Sequence, residues 1–219
     1  FKPFTFASAL NEDLIKPETE FLNLPKSIRC EKHRIGEYDN EIPSDLSAEQ
    51  ILIRSGNIGS VRIAQKIGPE KYKSFLEKIG VLSQISFDIE EVAPQKNYNF
   101  GKCKLATSSF GHGIATTILQ LARGYSIISN GGFDIKPTLI NKSIQNNKRG
   151  TRILKKGVSA QVVKALRKIV NTEEGTAKFA NVPNYEIGGK TGTADQPKDG
   201  SYSEAKINTF ASIFPTSNP

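Results

Sequence analysis

The chain has no methionine and no tryptophan, and only two cysteines and two histidines among its 219 residues. A natural full-length polypeptide starts with Met, whereas this one starts at Phe1, so it reads as an internal part of a longer protein. No stretch approaches the roughly 18 consecutive apolar residues of a membrane-spanning helix, and no secretory leader is visible. For a partial chain, that absence says little about the whole protein. Cys30 and Cys103 stand far apart, form no C-x-x-C and have no histidines at zinc spacing. His33 and His112 are single, so no metal site is expected. Whether the two cysteines pair stays open. There is no internal repeat and no low-complexity segment.

What is present is ordinary for one globular domain. Apolar residues make up 37%, a normal share once glycine is counted with them. Net charge is +8. The densest basic run is Lys148-Arg149-Gly150-Thr151-Arg152-Ile153-Leu154-Lys155-Lys156. Such a run can bind nucleic acid or an anionic surface. Without interleaved aromatics for base stacking it reads as a solvated loop, and nucleic acid is not expected as a partner.

Periodicity gives a mostly helical chain. Lys2 to Leu10 reads as a helix start, with Pro3 where a missing N–H does no harm. The segment from Asn11 to Pro43, broken by Pro17, Pro25 and Gly36, reads as loop with short extended pieces. Ser47-Ala48-Glu49-Gln50 is a capping-box pattern opening a helix through Ile53. Helices are expected from Ile58 to Ile67 and from Pro69 to Ile79, the second closed by Gly80. Thr116 to Asn130 carries Ile118, Leu121, Ala122, Tyr125 and Ile128 on one face, and Ser159 to Val170 is a further helix. Tyr185 to Thr193 and Ile207 to Phe214 read as a hairpin, with a turn at Asp195-Gln196-Pro197-Lys198-Asp199-Gly200.

The first hairpin strand holds Gly188-Gly189-Lys190-Thr191-Gly192-Thr193-Ala194. An extended chain alternates its side chains, so Lys190 and Thr191 face opposite sides. Gly192 lets another backbone or a ligand approach closely. Such an edge can hold a carboxylate or stabilise an oxyanion. A P-loop, G-x-x-x-x-G-K-[ST], fits only at its end, because its first glycine falls on Asn184 and the segment runs into a turn rather than a helix. A glycine-rich hairpin without chemistry is the bland alternative.

Other motifs accompany this one. Ser55-Gly56-Asn57 is a Ser-x-Asn, placed between two expected helices. Phe1-Lys2-Pro3 reads as the end of a Ser-x-x-Lys-Pro box whose serine would lie two residues before Phe1. Ser-x-x-Lys, Ser-x-Asn and Lys-Thr-Gly, in this order, resemble the signature of penicillin-binding proteins and class A β-lactamases. Ser108-Ser109-Phe110-Gly111-His112-Gly113, the run from Thr116 to Tyr125, and Asn130-Gly131-Gly132 resemble the segment that class B penicillin-binding proteins carry between the second and third boxes. Glu173-Glu174-Gly175-Thr176-Ala177 resembles the loop before their Lys-Thr-Gly strand. The resemblance runs nearly end to end. Ser-x-Asn and Ser55-Gly56-Asn57-Ile58-Gly59 point to the division-specific branch. No Glu-x-x-Leu-Asn pattern of a deacylating β-lactamase is present, and Glu90-Glu91-Val92-Ala93-Pro94 fits it poorly.

The resemblance implies an α+β fold of the penicillin-binding-protein and serine β-lactamase type. The family's five-stranded antiparallel sheet is flanked by helices. Residues 1–219 would be a truncated domain with most of the helical lobe and one hairpin of the sheet. The serine and two strands would precede Phe1, and a strand and helix would follow Pro219. An open edge at Ile207 to Phe214, and exposure of Phe4, Phe6 and Leu10, are then expected.

The resemblance also implies a serine D,D-transpeptidase that cross-links peptidoglycan stem peptides at the septum and is a target of β-lactams. Lys2 would be the base, Ser55 a proton relay, Asn57 a partner of the substrate amide and Lys190 the cation of the cleft. Thr191 and Thr193 would grip the terminal carboxylate beside Gly192, with the Thr193 N–H as half of the oxyanion hole. The donor would end in D-Ala-D-Ala, and the acceptor would be an amine such as that of diaminopimelate. No metal or organic cofactor is implied. Membrane proteins of the division complex would be partners, on the periplasmic side of the inner membrane, with the parent anchored by an N-terminal helix. His112 is read as structural. Alternatives are a penicillin-sensing receptor domain and a non-catalytic component of the division complex. Taken alone, Lys2 could be a surface lysine and Ser55-Gly56-Asn57 a helix-breaking turn.

Overall fold

The computed structural model describes residues 1–88, 98–140, 150–198 and 201–219. The run Glu90-Glu91-Val92-Ala93-Pro94, residues Lys148 and Arg149 of the basic run, and Asp199-Gly200 lie outside the described residues. No helix among the described residues is long and apolar enough to cross a membrane.

Helix α1 (Lys2–Asn11) is the axis of the molecule. Every residue from Pro3 to Leu10 is buried, the pattern of a helix enclosed on all sides. Helices α2 (Ala48–Ile53), α3 (Asn57–Ile67), α4 (Pro69–Lys78), α6 (Ile118–Ser129) and α7 (Val158–Asn171) all pack against it. The expected exposure of Phe4, Phe6 and Leu10 is therefore wrong, since these residues are 0%, 1% and 4% exposed. The five helices packed on α1 supply that cover. Phe4 meets Tyr125 edge-on at 5.4 Å, and the Thr5 hydroxyl lies 2.8 Å from Tyr72 Oη and donates to the Ser109 carbonyl at 2.7 Å.

Most helix boundaries follow local chemistry. Ser47 and Gln50 form the reciprocal cap of α2, and Thr117 with Gln120 does the same for α6. α4 ends two residues before Gly80, whose φ of 78° breaks the helix. Asn57 is the first residue of α3 rather than part of the turn before it. Helix α5 (Lys102–Ser108), a single short run, was not anticipated. The apolar face of α6 is rotated from the expected one. Tyr125, Ile127 and Ile128 are buried, whereas Ile118 is 88% exposed and Ala122 is exposed as well. Ile118, Leu121 and Ala122 instead line an open groove of about 740 Å³ shared with Phe210 and Phe214.

The strand content exceeds one hairpin. β1 (Glu20–Phe21) pairs with β4 (Leu46–Ser47), and β2 (Ser27–Cys30) pairs with β3 (His33–Gly36), both antiparallel. Cys30 and Cys103 form a disulfide that joins β2 to α5. β5 (Gly188–Lys198) and β6 (Ser201–Ile213) form the long hairpin, with an irregularity between Asp195 and Pro197. It starts at Gly188 instead of Tyr185, because Asn184 has φ 67° and the Tyr185 N–H closes a turn on the Val182 carbonyl. The strands run through most of the expected turn. β5 lies on α7, where Gly188 sits so close to the backbone of Leu166 and Arg167 that a Cβ would be 3.2–3.3 Å away. The far edge of β6 pairs with no strand among the described residues, and Ile207, Phe210 and Phe214 are about half exposed there. In the described part of the basic run, Arg152 stacks on Phe133 at 4.1 Å and Lys155 pairs with Asp13 at 2.6 Å.

Candidate active site

Three elements meet at the first turn of α1. Lys2 extends its amine to Ser55, donating to Oγ at 2.9 Å. Ser55 occupies the turn between α2 and α3 with φ 61° and is 8% exposed. A positive φ is unusual for serine, and such backbone strain concentrates at functional sites. The turn is held from both sides. The Gly56 N–H bonds the Ile51 carbonyl at 2.9 Å, and Arg54 pairs with Glu174 at 3.0 Å.

The pKa of Lys2 is lowered from 10.5 to about 7, chiefly by burial and secondly by the Lys190 charge, with the Glu37 charge opposing both. Low dielectric disfavours the charged form, and a nearby cation adds to that. An amine that is half neutral near pH 7 and touches a hydroxyl can take and return a proton.

Asn57 begins α3 beside Ser55. Its side-chain Nδ2 donates to the Gly36 carbonyl at 2.9 Å, so β3 fixes the amide. The Glu37 carboxylate accepts from the N–H groups of Asn57 at 2.6 Å and Ile58 at 2.9 Å. Sequence reasoning gave no role to Glu37. Its contacts join residues 20 and 21 positions apart in the chain, and no local signal announces them.

Lys190 is 6% exposed on β5, and burial brings its pKa down from 10.5 to about 8. Its amine donates to Thr176 Oγ1 at 3.2 Å, to the Thr191 carbonyl at 3.0 Å and to Thr191 Oγ1 at 3.3 Å. Thr191 Oγ1 in turn donates to Thr176 Oγ1 at 3.0 Å. Thr176 is a second participant that sequence reasoning left without a role, although its loop was singled out. Arg54 and Thr176 tie the loop from Glu173 to Ala177 to both the Ser55 turn and the Lys190 strand. Thr193 is exposed, and its hydroxyl donates to Asn208 across the ladder at 3.1 Å. At Gly192 a Cβ would fall 2.5 Å from Thr209 Oγ1, so the strand there admits no side chain without a shift.

His112 lies beyond α5, with its N–H bonded to the Thr107 carbonyl at 3.0 Å and its ring tilted against Phe110. Gly111 lies against the Phe1 ring, so this segment packs on the start of α1. The arrangement thus offers a low-pKa amine on a hydroxyl, a second buried amine, and an exposed strand with threonine hydroxyls.

Comparisons agree over the whole chain. The family model described as penicillin binding protein transpeptidase domain matches residues 1–219. A protein of Mesostigma viride named peptidoglycan D,D-transpeptidase FtsI homolog is 30% identical across all of this chain, which covers 42% of that protein. A probable peptidoglycan D,D-transpeptidase FtsI of Caulobacter vibrioides is 28% identical, again over the full chain and 38% of its own length. The chain thus spans about two fifths of these relatives. The apo transpeptidase domain of penicillin-binding protein 3 from Burkholderia pseudomallei superposes with TM-score 0.88 at 26% identity, covering all of this chain and 66% of that one.

Proposed function

This chain belongs to the penicillin-binding protein transpeptidase domain family, and on that premise we propose that it forms the core of a peptidoglycan D,D-transpeptidase. The observation that carries the reading is the hydrogen bond from Lys2 to Ser55 beside a second buried lysine.

In the proposed reaction, a serine two residues before Phe1 lies one turn before Lys2 on the same helix face. Its oxygen attacks the carbonyl of the penultimate D-Ala of a stem peptide, and its proton passes to neutral Lys2. Ser55 then relays that proton to the nitrogen of the departing terminal D-Ala as the C–N bond breaks. An amine of a neighbouring stem attacks the ester and loses a proton to Lys2, which passes it to the serine oxygen as the acyl–oxygen bond breaks. Asn57 holds the donor's amide, while Thr191 and Thr193 grip its terminal carboxylate next to the Lys190 charge. The Thr193 N–H and that of the serine stabilise the oxyanion.

The same nucleophile would open a β-lactam ring. The Ser-x-Asn form and the names of the relatives support a role in the septal wall with division-complex partners. The Cys30–Cys103 disulfide supports placement outside the cytoplasm, where such bonds persist. The polypeptide extended upstream of Phe1 is expected to form a boiling-resistant adduct with a fluorescent penicillin and to lose it in Lys2→Ala. Residues 1–219 alone are expected to form none. A stoichiometric adduct on the chain alone would place the nucleophile elsewhere and refute the mechanism.

A further inference from the structure

Glu37 takes up no proton in the transfers above, where its charge acts only to raise the Lys2 pKa, yet both its carboxylate oxygens are spent on the turn that carries Ser55. Oε2 accepts from the Asn57 N–H at 2.6 Å and Oε1 from the Ile58 N–H at 2.9 Å. These are the first two residues of α3, which has no side-chain cap of its own because its N-cap residue is Gly56. A carboxylate there satisfies two orphan donors and complements the positive end of the helix dipole.

The neighbours of Glu37 act on the same turn. The Gly36 carbonyl takes the donor end of the Asn57 amide at 2.9 Å, and Tyr38 Oη donates to the Arg54 carbonyl at 3.0 Å. Three consecutive residues therefore grip both flanks of Ser55. Their own position is fixed by the Glu37 N–H bonded to the Lys26 carbonyl at 3.0 Å, by the β2–β3 ladder, and by the disulfide from Cys30 to α5. A clamp of this kind orients Asn57 without touching the substrate.

We propose that Glu37 is a positioning residue for transpeptidation: it sets the start of α3 and so places Asn57 against the amide of the acyl donor. The inference rests on the transpeptidase reading. Glu37→Ala is expected to lower the acylation rate about 10- to 100-fold, a loss of about 1.4–2.7 kcal/mol of transition-state stabilisation.

The test is acylation of the upstream-extended polypeptide by a fluorescent penicillin, in a double-mutant cycle with Asn57→Ala. If Glu37 acts through Asn57, Glu37→Ala adds less than about threefold in the Asn57→Ala background. An effect undiminished in that background, or wild-type rates in Glu37→Ala, would overturn the proposal. Glu37→Gln keeps the shape and, if Glu37→Ala does not fold, carries the same cycle. In either case the Asn57 and Ile58 amide resonances of Glu37→Gln are expected to move upfield as the charged acceptor is lost, and unmoved resonances count against the clamp. A wild-type polypeptide that takes up no penicillin refutes the transpeptidase reading itself, which separates the two failures.

Discussion

The Lys2 amine and the Ser55 hydroxyl lie 2.9 Å apart, although 53 positions separate them in the chain. Lys2 opens the central helix, and Ser55 sits in a strained turn between two helices packed on it. The pair is made by the enclosure of α1, and the same enclosure strips water from the amine and brings its pKa to about 7. Geometry and protonation state thus have one physical cause.

That pKa gives acylation a signed pH dependence. In the proposed mechanism neutral Lys2 is the base, so the rate in the upstream-extended polypeptide should fall as pH drops through about 7. The same mechanism needs Lys190 charged, so the rate should also fall as pH rises through about 8. Lys190→Ala removes a cation that lowers the Lys2 pKa. The acid limb then moves to higher pH, and the maximal rate drops on the order of 100-fold. A pH–rate series for β-lactam acylation measures both. An acid limb that stays in place in Lys190→Ala would contradict the electrostatic coupling.

Gly59 is where α3 touches α2. A Cβ there would fall 2.5–2.7 Å from three side-chain carbons of Ile51, which is 1% exposed and cannot move aside. Gly59→Ala should destabilise the chain by about 2 kcal/mol, roughly 4–8 °C of melting temperature, through overpacking. Thermal unfolding followed by circular dichroism reads this. An unchanged melting temperature would mean that α2 and α3 are less closely held than described.

The disulfide closes a loop across 73 positions, for which chain entropy predicts a contribution on the order of 4 kcal/mol. Replacing Cys30 and Cys103 together by serine should lower the melting temperature accordingly. Thiol titration of the denatured, unreduced protein should find no free thiol, and two after reduction. Two free thiols before reduction would remove the link between β2 and α5.

His112→Ala should leave acylation within about threefold of wild type, as for an ordinary substitution away from the reacting groups. A folded His112→Ala variant that no longer acylates would turn this residue from a structural into a functional one.

Local signals set the helices well. The capping pair Ser47 and Gln50, Pro69 after Gly68, and the apolar spacing of Val162, Leu166 and Ile169 each act within a few residues, and the elements formed where these patterns lie. They failed where tertiary contacts decide. Ile118 shares the apolar spacing of α6 yet faces the open groove, because α1 and α7 cover the adjacent stripe. Short extended pieces lie between Asn11 and Pro43 as expected, but the pairing into two ladders was not legible, because strands of two to four residues carry too little alternation to show their partners.

By itself, the sequence determined the chemical types and their order: a lysine at the first turn of a helix, a Ser-x-Asn at a helix junction, and Lys-Thr-Gly on a hairpin strand. Those choices are local, since spacing, capping and glycine fix them without distant partners. Only the tertiary structure decided that Lys2 meets Ser55 and that Lys190 is buried against Thr176. It also decided that Glu37 closes the start of α3 and that Cys30 bonds Cys103. Each of these joins groups many residues apart, and their energies depend on the desolvation and alignment that exist once the helices have closed around α1.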